Sequence, residues 1–209
     1  MSAESKAHPA SREVWLIRHG ETEWSRSGQH TGRTDIGLTD RGREQARALA
    51  KPLAAQHFDA VLASPMSRAI DTCKLAGLGD RVKISADLHE WNYGVYEGRK
   101  TADIRQTEPD WSVWHSAIPE GENLAQIETR ARGVVDGLLT MLGDESGEGG
   151  RIAVFSHAHF LRVLAGCWIG DSAALGAHLY LDTASVSILG FDRESRAIRR
   201  WNAKPEGCE

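Results

Sequence analysis

The run IAVFS, residues 152–156, is apolar at almost every position. A strand of this kind has to be covered on both faces, which is typical of a parallel sheet between two layers of helices. Two similar runs, VWLIR at 14–18 and AVLAS at 60–64, alternate with stretches in which apolar residues recur at helical spacing. Strands that alternate with helices predict an α/β fold, here three α/β/α layers with a mostly parallel sheet flanked by helices.

Capping signals and breakers predict where the helices begin and end. Thr39 is the predicted N-cap of a helix that runs past residue 50 and is kinked or shortened by Pro52. Ser64 is the predicted N-cap of the next helix, with Pro65 as its first residue, and Asn123 precedes a long amphipathic helix. The other predicted elements are a strand at 82–84, a loop at 145–150, a helix from about 160 to 168, and two closing edge strands at 185–191 and 197–202.

The overall charge limits the class of partner. The 209 residues include 25 Lys and Arg against 29 Asp and Glu, a net charge of −4, which disfavours a nucleic-acid-binding face. The chain has no run of about 18 apolar residues that could cross a membrane, and its first residues lack the apolar core of a signal peptide. We therefore expect a cytoplasmic protein with no nucleic-acid or membrane partner.

Cysteine use agrees with that location. The chain has three cysteines, Cys73, Cys167 and Cys208, and no CxxC pair. This pattern indicates a reducing compartment rather than a disulfide framework or a thiolate zinc site. The length fits one domain with a substantial core. We expect a disordered tail at 1–12, a single domain at 13–203 and a short tail at 204–209.

Residues with phosphate-binding chemistry follow three of the predicted strands. Arg18 and His19 end the first, Arg68 comes shortly after the second, and His157 directly follows IAVFS. Because the carboxyl ends of parallel strands meet at one edge of a sheet, we expect these side chains to converge. Guanidinium groups grip phosphate with two prongs, and an imidazole can attack phosphorus to form a phosphohistidine. The pattern predicts phosphoryl transfer that needs no metal or cofactor in principle.

The leaving group of such a reaction needs a proton. The stretch LHEWNYGVYEG offers Glu90 or Glu97 as the general acid. A carboxyl group close to several cations stays protonated only if burial or a neighbouring charge raises its pKa. Glu97, next to Gly98, could instead be a structural cap.

Each of these residues also has a structural interpretation. Arg18 and His19 could form a solvated strand end, Arg68 a surface position and His157 a satisfied core histidine. Two other functions are compatible with the residues: a metal hydrolase, if the imidazoles of His157 and His159 share one face of a continuing strand, and a phosphate-ligand sensor without catalysis. The two arginines would repel a cation, and the compatible chemistry at every strand end favours catalysis.

Five blocks of the chain, in this order, resemble the histidine phosphatase superfamily, the phosphoglycerate-mutase-like proteins. They are LIRHGETEW with its RHG signature, GQHTGRTDIGLT, ASPMSRAIDT, LHEWNYGVYEG and VFSHAHFLR. The resemblance covers Val14 to about Phe191 and implies the phosphoglycerate-mutase-like fold. It implies that His19 is the nucleophile that becomes phosphorylated and that Glu90 is the proton donor. It also implies that the phosphate pocket is formed by Arg18, Arg68 and His157.

The resemblance also implies substrate contacts. The contacts made by the substrate loop correspond to Ser25, Thr31 and Gly32. The substrate-facing tyrosine of the mutases corresponds to Tyr93. Ala158 and His159 stand where the mutases have Gly-Asn. We expect His159 to face the pocket and to contact the substrate beyond its scissile phosphate, with a position outside the pocket as the alternative.

Departures from the mutase pattern favour hydrolysis. Mutases carry an adjacent arginine pair in an inserted segment after the acid, where this chain has only isolated Arg99 and Arg105. Ser25 also replaces the usual mutase asparagine. A cofactor-dependent phosphoglycerate mutase is the alternative function.

Within the phosphatases, the resemblance is to the branch with fungal sedoheptulose-1,7-bisphosphatase and bacterial acid phosphatases. That implies a small phosphorylated metabolite, such as a sugar phosphate or bisphosphate, as substrate and inorganic phosphate as product. The sequence is also compatible with a homodimer. The segment around Trp111 and Trp114, read as exposed, could serve as a lid or an interface.

Overall fold

The computed structural model describes residues 12–143 and 150–205. The predictions for residues 1–11, 145–149 and 206–209, which include most of both tails, most of the loop and Cys208, lie outside these ranges.

Strands and helices alternate over most of the described chain. Its strands are β1 (Glu13–Arg18), β2 (Ala60–Ala63), β3 (Val82–Ile84), β4 (Arg151–Ser156), β5 (Val186–Asp192) and β6 (Ser195–Ala203). Its α-helices are α1 (Glu23–Ser27), α2 (Asp40–Ala48), α3 (Ala50–Ala54), α4 (Ser67–Leu75), α5 (Thr101–Ile104), α6 (Leu124–Leu142) and α7 (Ala158–Gly170). Short 3₁₀ turns lie at Gly79–Arg81, Ala86–Leu88, Gly94–Tyr96 and Ala173–His178.

The strands form one mixed sheet in the order β3-β2-β4-β1-β5-β6. Strands β1 to β4 are parallel to one another, whereas β5 runs antiparallel to both β1 and β6. The prediction that 185–191 forms an edge strand is therefore wrong. β6 folds back onto β5 and covers its free edge, so that only the last strand lies at the edge on this side.

The side chains of β1 alternate between two cores, one on each side of the sheet. Val14 and Leu16 pack with residues of α6 and α7, whereas Trp15 and Ile17 pack with residues of α3 and α4. This alternation is what a strand with a two-residue period presents to two helix layers. The predicted three-layer α/β/α fold is confirmed.

The predicted capping signals have mixed outcomes. Thr39 and Asn123 cap α2 and α6 as predicted, and the helix that contains Pro52 is broken at Leu49 into α2 and α3. The prediction that Ser64 caps α4 is wrong, because the chain stays extended as far as Met66. The Ser64 hydroxyl instead bonds to an imidazole described below.

Two further predictions concern exposure. Trp111 and Trp114 are 2 % and 9 % exposed, so the prediction of an exposed tryptophan segment is wrong: both rings pack into the core next to α6 and α7. In the ranges that the structure describes, no helix is both long and apolar enough to cross a bilayer.

Candidate active site

The pairing of β1 with β4 brings two histidines together. Arg18 is paired with Ser156 at the carboxyl ends of the two strands, so the next residues, His19 and His157, lie side by side. The His19 backbone N–H donates to the Ser156 carbonyl at 3.0 Å, and the two imidazole centroids are 5.2 Å apart. Both side chains are buried. The strand ends therefore converge as the sequence predicts.

The His19 ring is held in one orientation and one tautomer. Its Nδ1 lies 2.7 Å from the Gly20 carbonyl oxygen, which can only accept, so Nδ1 carries the proton. Burial, followed by the charges of Arg68 and Arg18, holds the His19 pKa well below its ordinary value. The ring is therefore neutral, with an unprotonated Nε2. Gly20 fits here because a Cβ would overlap the Gly42 carbonyl.

Arg68 lies in the first turn of α4 and is fully buried. Its guanidinium donates to the carbonyl oxygens of Thr34 at 3.0 Å and Gly32 at 2.9 Å, and its Nε donates to His157 Nδ1 at 3.1 Å. Because Nδ1 accepts, the proton of the neutral His157 is on Nε2, which donates to Ser64 Oγ at 2.8 Å. Burial is the largest cause that keeps the His157 pKa well below its usual range.

Arg18 has a free donor. Its Nη1 donates to the Leu181 carbonyl at 2.6 Å, but its buried Nε has no partner in the described structure. An unpaired buried N–H costs about 1–3 kcal/mol. A guanidinium with an unused donor next to His19 is therefore suited to an anionic ligand.

Glu90 reaches the N-terminus of α7. One carboxylate oxygen accepts from the N–H groups of Trp91 at 2.9 Å and Phe160 at 2.7 Å, and the other accepts from the N–H of His159 at 3.0 Å. Burial raises the Glu90 pKa above its ordinary value, and the three N–H groups oppose that rise.

A partly buried ion pair lies behind the segment that carries Glu90. Arg130 of α6 contacts the Glu122 carboxylate with Nε at 2.9 Å and Nη2 at 2.8 Å. Its Nη1 donates to the carbonyl oxygens of Asp87 and His89, each at 2.8 Å. The pair thus links the backbone on the N-terminal side of Glu90 to a long helix.

Glu97 has a different environment. Its carboxylate accepts from the Gly32 N–H at 2.6 Å and from the N–H and hydroxyl of Thr34 at 3.0 and 2.7 Å. A Cβ at Gly32 would overlap the Glu97 carboxylate, so a glycine is needed for this approach. These bonds make Glu97 an anchor for residues 32–34, which agrees with the structural alternative for this residue.

A cavity of about 180 Å³ opens next to His19. Eight of the predicted site residues line it, namely Arg18, His19, Ser25, Thr31, Glu90, Tyr93, Ala158 and His159. Arg68, His157 and Gly32 are not in the lining; Arg68 and His157 lie buried behind it, and Gly32 binds Arg68 through its carbonyl. Gly28, Gln29 and His30 line the cavity without having been predicted.

Two of the predicted substrate-loop hydroxyls have partners within their own loop. Ser25 Oγ bonds with the backbone N–H and carbonyl of Thr22 in the capping box of α1. Thr31 Oγ1 donates to the Gln29 carbonyl at 3.2 Å.

One part of the cavity wall is aromatic. The Tyr93 hydroxyl lies 2.7 Å from His159 Nδ1, and the ring of His30 lies 4.7 Å from that of Tyr93, centroid to centroid. His159 therefore belongs to the cavity, as the sequence predicts. Its contact with a substrate stays a prediction.

The premise of the metal alternative is wrong. β4 ends at Ser156, so His157 and His159 do not share the face of a strand; His157 precedes α7 and His159 lies in its first turn. Across residues 12–143 and 150–205, no three His, Cys, Asp or Glu side chains are arranged to hold a metal ion.

Comparison with known proteins identifies the family. Residues 14–204 match the profile of the histidine phosphatase superfamily, branch 1. The chain belongs to the histidine phosphatase superfamily. It is 40 % identical over 185 residues to an acid phosphatase of Mycobacterium tuberculosis, covering 88 % of each chain. It is 33 % identical over 180 residues to sedoheptulose 1,7-bisphosphatase of Saccharomyces cerevisiae, covering 74 % of this chain and 66 % of the yeast protein.

The fold agrees with this assignment. The solved structure of an open reading frame product from M. tuberculosis matches with a TM-score of 0.85 and 38 % identity, over 93 % of this chain and 99 % of that one. The phosphatase-named relatives support a histidine phosphatase enzyme, as predicted.

The features that sequence reasoning missed in this histidine phosphatase come from loops and from distant elements. His30 reaches Tyr93 because residues 28–31 fold over the cavity. Ser64 contacts His157 at the neighbouring ends of β2 and β4, and Arg130 of α6 reaches the Glu90 segment from the helix layer. Nothing in residue type or spacing pointed to the contacts of His30 and Arg130.

Proposed function

We propose that this protein is a metal-independent phosphomonoester hydrolase that passes the phosphoryl group to His19 and then to water. The observation that carries the proposal is the fixed tautomer of His19, whose Nδ1 is bound to the Gly20 carbonyl. The unprotonated Nε2 is therefore free to act as a nucleophile on the cavity wall. The unpartnered Nε of Arg18 gives the phosphate a donor at the same place.

The reaction has two displacements. His19 Nε2 attacks phosphorus with its lone pair, the bond from phosphorus to the ester oxygen breaks, and Glu90 gives its proton to the departing oxygen. In the second step Glu90 takes a proton from water, the water oxygen attacks phosphorus, and the N–P bond returns its electrons to His19. Inorganic phosphate leaves, and both residues are restored.

The environment of each group supports its role. Burial raises the pKa of Glu90, which favours the protonated form needed in the first step. The cations Arg18 and Arg68 balance charge that develops on the phosphoryl oxygens. Arg68 and His157 are already oriented by the bonds that fix them, so little ordering is needed when substrate binds.

Hydrolysis is favoured over phosphate transfer between positions of phosphoglycerate. Arg99 stacks on Tyr96 and donates to the Asp103 carbonyl, and Arg105 donates to the Trp111 carbonyl. Neither arginine lines the cavity, so neither supplies the carboxylate grip expected of a mutase.

The proposed substrate is a small phosphorylated metabolite, a sugar phosphate or bisphosphate. The relatives named acid phosphatase and sedoheptulose 1,7-bisphosphatase support this class. A cytoplasmic location and a homodimer stay predictions.

The test is phosphate release in EDTA from p-nitrophenyl phosphate, 3-phosphoglycerate, fructose 1,6-bisphosphate and sedoheptulose 1,7-bisphosphate, with isomer conversion followed in parallel. We expect release that is lost in His19→Ala and a ³²P label that is retained by wild-type protein quenched in alkaline SDS, as an alkali-stable and acid-labile phosphohistidine. Conversion of 3- to 2-phosphoglycerate without net release would instead establish the mutase. Activity that disappears in EDTA and returns with metal would contradict the proposal.

A further inference from the structure

Three ring side chains form one part of the cavity wall. His30, Tyr93 and His159 all line the cavity. The centroid of the His30 ring is 4.7 Å from that of Tyr93 and 6.3 Å from that of His159. We call these three residues the ring wall.

Each imidazole of the ring wall keeps one nitrogen for a ligand. The Tyr93 O–H has no other acceptor among the described residues, so it donates to His159 Nδ1 at 2.7 Å, and His159 carries its own proton on Nε2. His30 uses Nε2 toward Thr101 Oγ1 at 3.2 Å. His159 Nε2 and His30 Nδ1 then have no partner within the described chain. His159 Nε2 offers a hydrogen-bond donor, and His30 Nδ1 can donate or accept according to its tautomer.

The ring wall carries no charge near neutral pH. Burial lowers the pKa of His30 to about 4 and holds that of His159 well below its ordinary value. Burial likewise raises the pKa of Tyr93 well above its ordinary value, so the phenol keeps its proton. The wall therefore offers hydrogen bonds and ring faces without a formal cation.

The nearest cation behind the wall has other contacts. Arg162 stacks on Trp114 with its guanidinium carbon 4.7 Å from the ring centroid, and it donates to the carbonyl oxygens of Gly176 and Ala177 at 3.0 and 3.2 Å. It is not part of the cavity lining. Of the residues that do line the cavity, Arg18 is the only arginine or lysine, and it lies next to His19 at the phosphate end.

Tryptophans fix the rings of the wall. Trp111 contacts His30 with centroids 5.2 Å apart, and Trp114 contacts His159 at 5.5 Å. Both tryptophans are buried, so the wall is a packed surface. Ring faces of this kind pack against the C–H groups of a carbohydrate-like ligand while the nitrogens meet its hydroxyls.

We propose that the ring wall binds the leaving group, and that it selects phosphate esters of uncharged, hydroxyl-bearing alcohols over esters that carry a carboxylate or a second phosphate. This inference rests on the proposed function and narrows its substrate class from sugar phosphates and bisphosphates to monophosphates of uncharged alcohols. A charged leaving group would lose part of its hydration in this pocket, and Arg18, the one arginine or lysine of the cavity lining, would already be paired with the phosphate. A polyol phosphate would keep its hydrogen bonds.

The first experiment compares matched substrates on the wild-type protein. Glycerol 3-phosphate and 3-phosphoglycerate differ only at the terminal carbon without phosphate, which is a CH₂OH group in the first and a carboxylate group in the second. We expect kcat/KM to favour glycerol 3-phosphate by about tenfold or more, the cost of one unpaired polar group. Fructose 1-phosphate should likewise exceed fructose 1,6-bisphosphate. A preference for the carboxylate or for the bisphosphate would overturn the proposal.

The second experiment tests the wall itself. In His30→Leu we expect kcat/KM for glycerol 3-phosphate to fall by about tenfold relative to that for p-nitrophenyl phosphate, whose leaving group has no further hydroxyl. His115→Leu, at an exposed site outside the cavity, is the matched control and should keep the wild-type ratio. An equal loss on both substrates would mean that His30 has a structural role only, and would contradict the proposal.

The two proposals can fail separately. If His19→Ala retains phosphate release, the histidine phosphatase mechanism fails, whatever the substrate preference. If release depends on His19 but the substrate ratio does not depend on His30, the mechanism stands and the ring-wall proposal fails.

Discussion

Arg130 and Glu122 form a two-pronged ion pair directly behind the segment that carries Glu90. The two N···O distances are 2.9 and 2.8 Å, and the side chains are only 13 % and 16 % exposed. Arg130 also holds the carbonyl oxygens of Asp87 and His89. Arg130 is thus a positioning residue for the general acid, since it fixes the backbone that leads into Glu90.

Replacing Arg130 should reduce activity as well as stability. In Arg130→Met we expect a loss of about 1–3 kcal/mol in the free energy of unfolding, because the partly buried Glu122 would lose its charged partner and keep only the Asn92 N–H. We also expect kcat to fall more than KM rises, with partial rescue in Arg130→Lys, measured at a temperature where every variant is folded. Arg132→Met on the same helix, which breaks a more exposed pair with Glu128, should change stability little and leave kcat unchanged. Equal kinetic effects at both positions would contradict a positioning role.

Glu90 and Glu97 should respond differently to the leaving group. If Glu90 is the general acid, Glu90→Gln should lose about 10²–10⁴-fold in kcat on an alkyl phosphate, and much less on p-nitrophenyl phosphate, whose leaving group needs little protonation. Glu97→Gln should instead weaken the anchor of Gly32 and Thr34 and reduce kcat/KM similarly on both substrates. The measurement is steady-state kinetics on the two substrates, and an equal dependence at both sites would remove the assignment of Glu90.

Stability should fall as the pH drops below the ordinary histidine pKa. His19, His157 and His159 have pKa values held well below 6.5 by burial, and that of His30 is about 4. In the unfolded chain each titrates near its ordinary value, so the unfolded state binds more protons between that value and the folded pKa. The stabilisation is complete above about pH 6.5 and is lost below it by up to about 1.4 kcal/mol per pH unit for each histidine. Urea unfolding between about pH 7.5 and pH 5 measures the slope, and a flat profile would contradict it.

Inorganic phosphate should stabilise the folded protein. Arg68 is buried and Arg18 is half-buried, and the carboxylate nearest to Arg68 is that of Asp35 at 3.9 Å, which is half exposed. A ligand that binds only the folded state adds about 1.4 kcal/mol at ten times its Kd, which raises Tm by about 3–6 °C in a chain of this size. Thermal unfolding with phosphate and with chloride at equal ionic strength tests this. The shift should be absent in Arg18→Gln, and an equal shift with chloride would exclude a specific site.

The sequence predicts the parallel part of the fold and the convergence at its edge for one reason. A strand that is apolar on both faces leaves few topologies, and these bring Arg18, His19 and His157 to one place. The sequence does not predict that β5 lies inside the sheet. The pattern of apolar residues is the same in an edge strand and in a strand whose free edge is covered by the next strand of a hairpin. Ser64 is a similar case: a serine before a proline resembles an N-cap, but its hydroxyl is bound to His157.

The leaving-group side of the site depends on contacts that local patterns do not encode. His30 and His159 are far apart in the chain and meet only because the loop at 28–31 and the first turn of α7 reach the same cavity. From the sequence we expect an exposed segment around Trp111 and Trp114, whereas both rings pack beneath this wall. Side-chain reach between layers decides these positions.

The double anchoring of residues 31–34 limits how this enzyme can be redesigned. The carbonyl oxygens of Gly32 and Thr34 hold the Arg68 guanidinium, while the N–H groups of the same two residues are held by Glu97. A change of loop sequence made to admit a new substrate would therefore also disturb the arginine behind the phosphate. Trp111 and Trp114 are buried against His30 and His159, so a library aimed at new substrates should keep residues 31–34 and both tryptophans and vary His30 and His159.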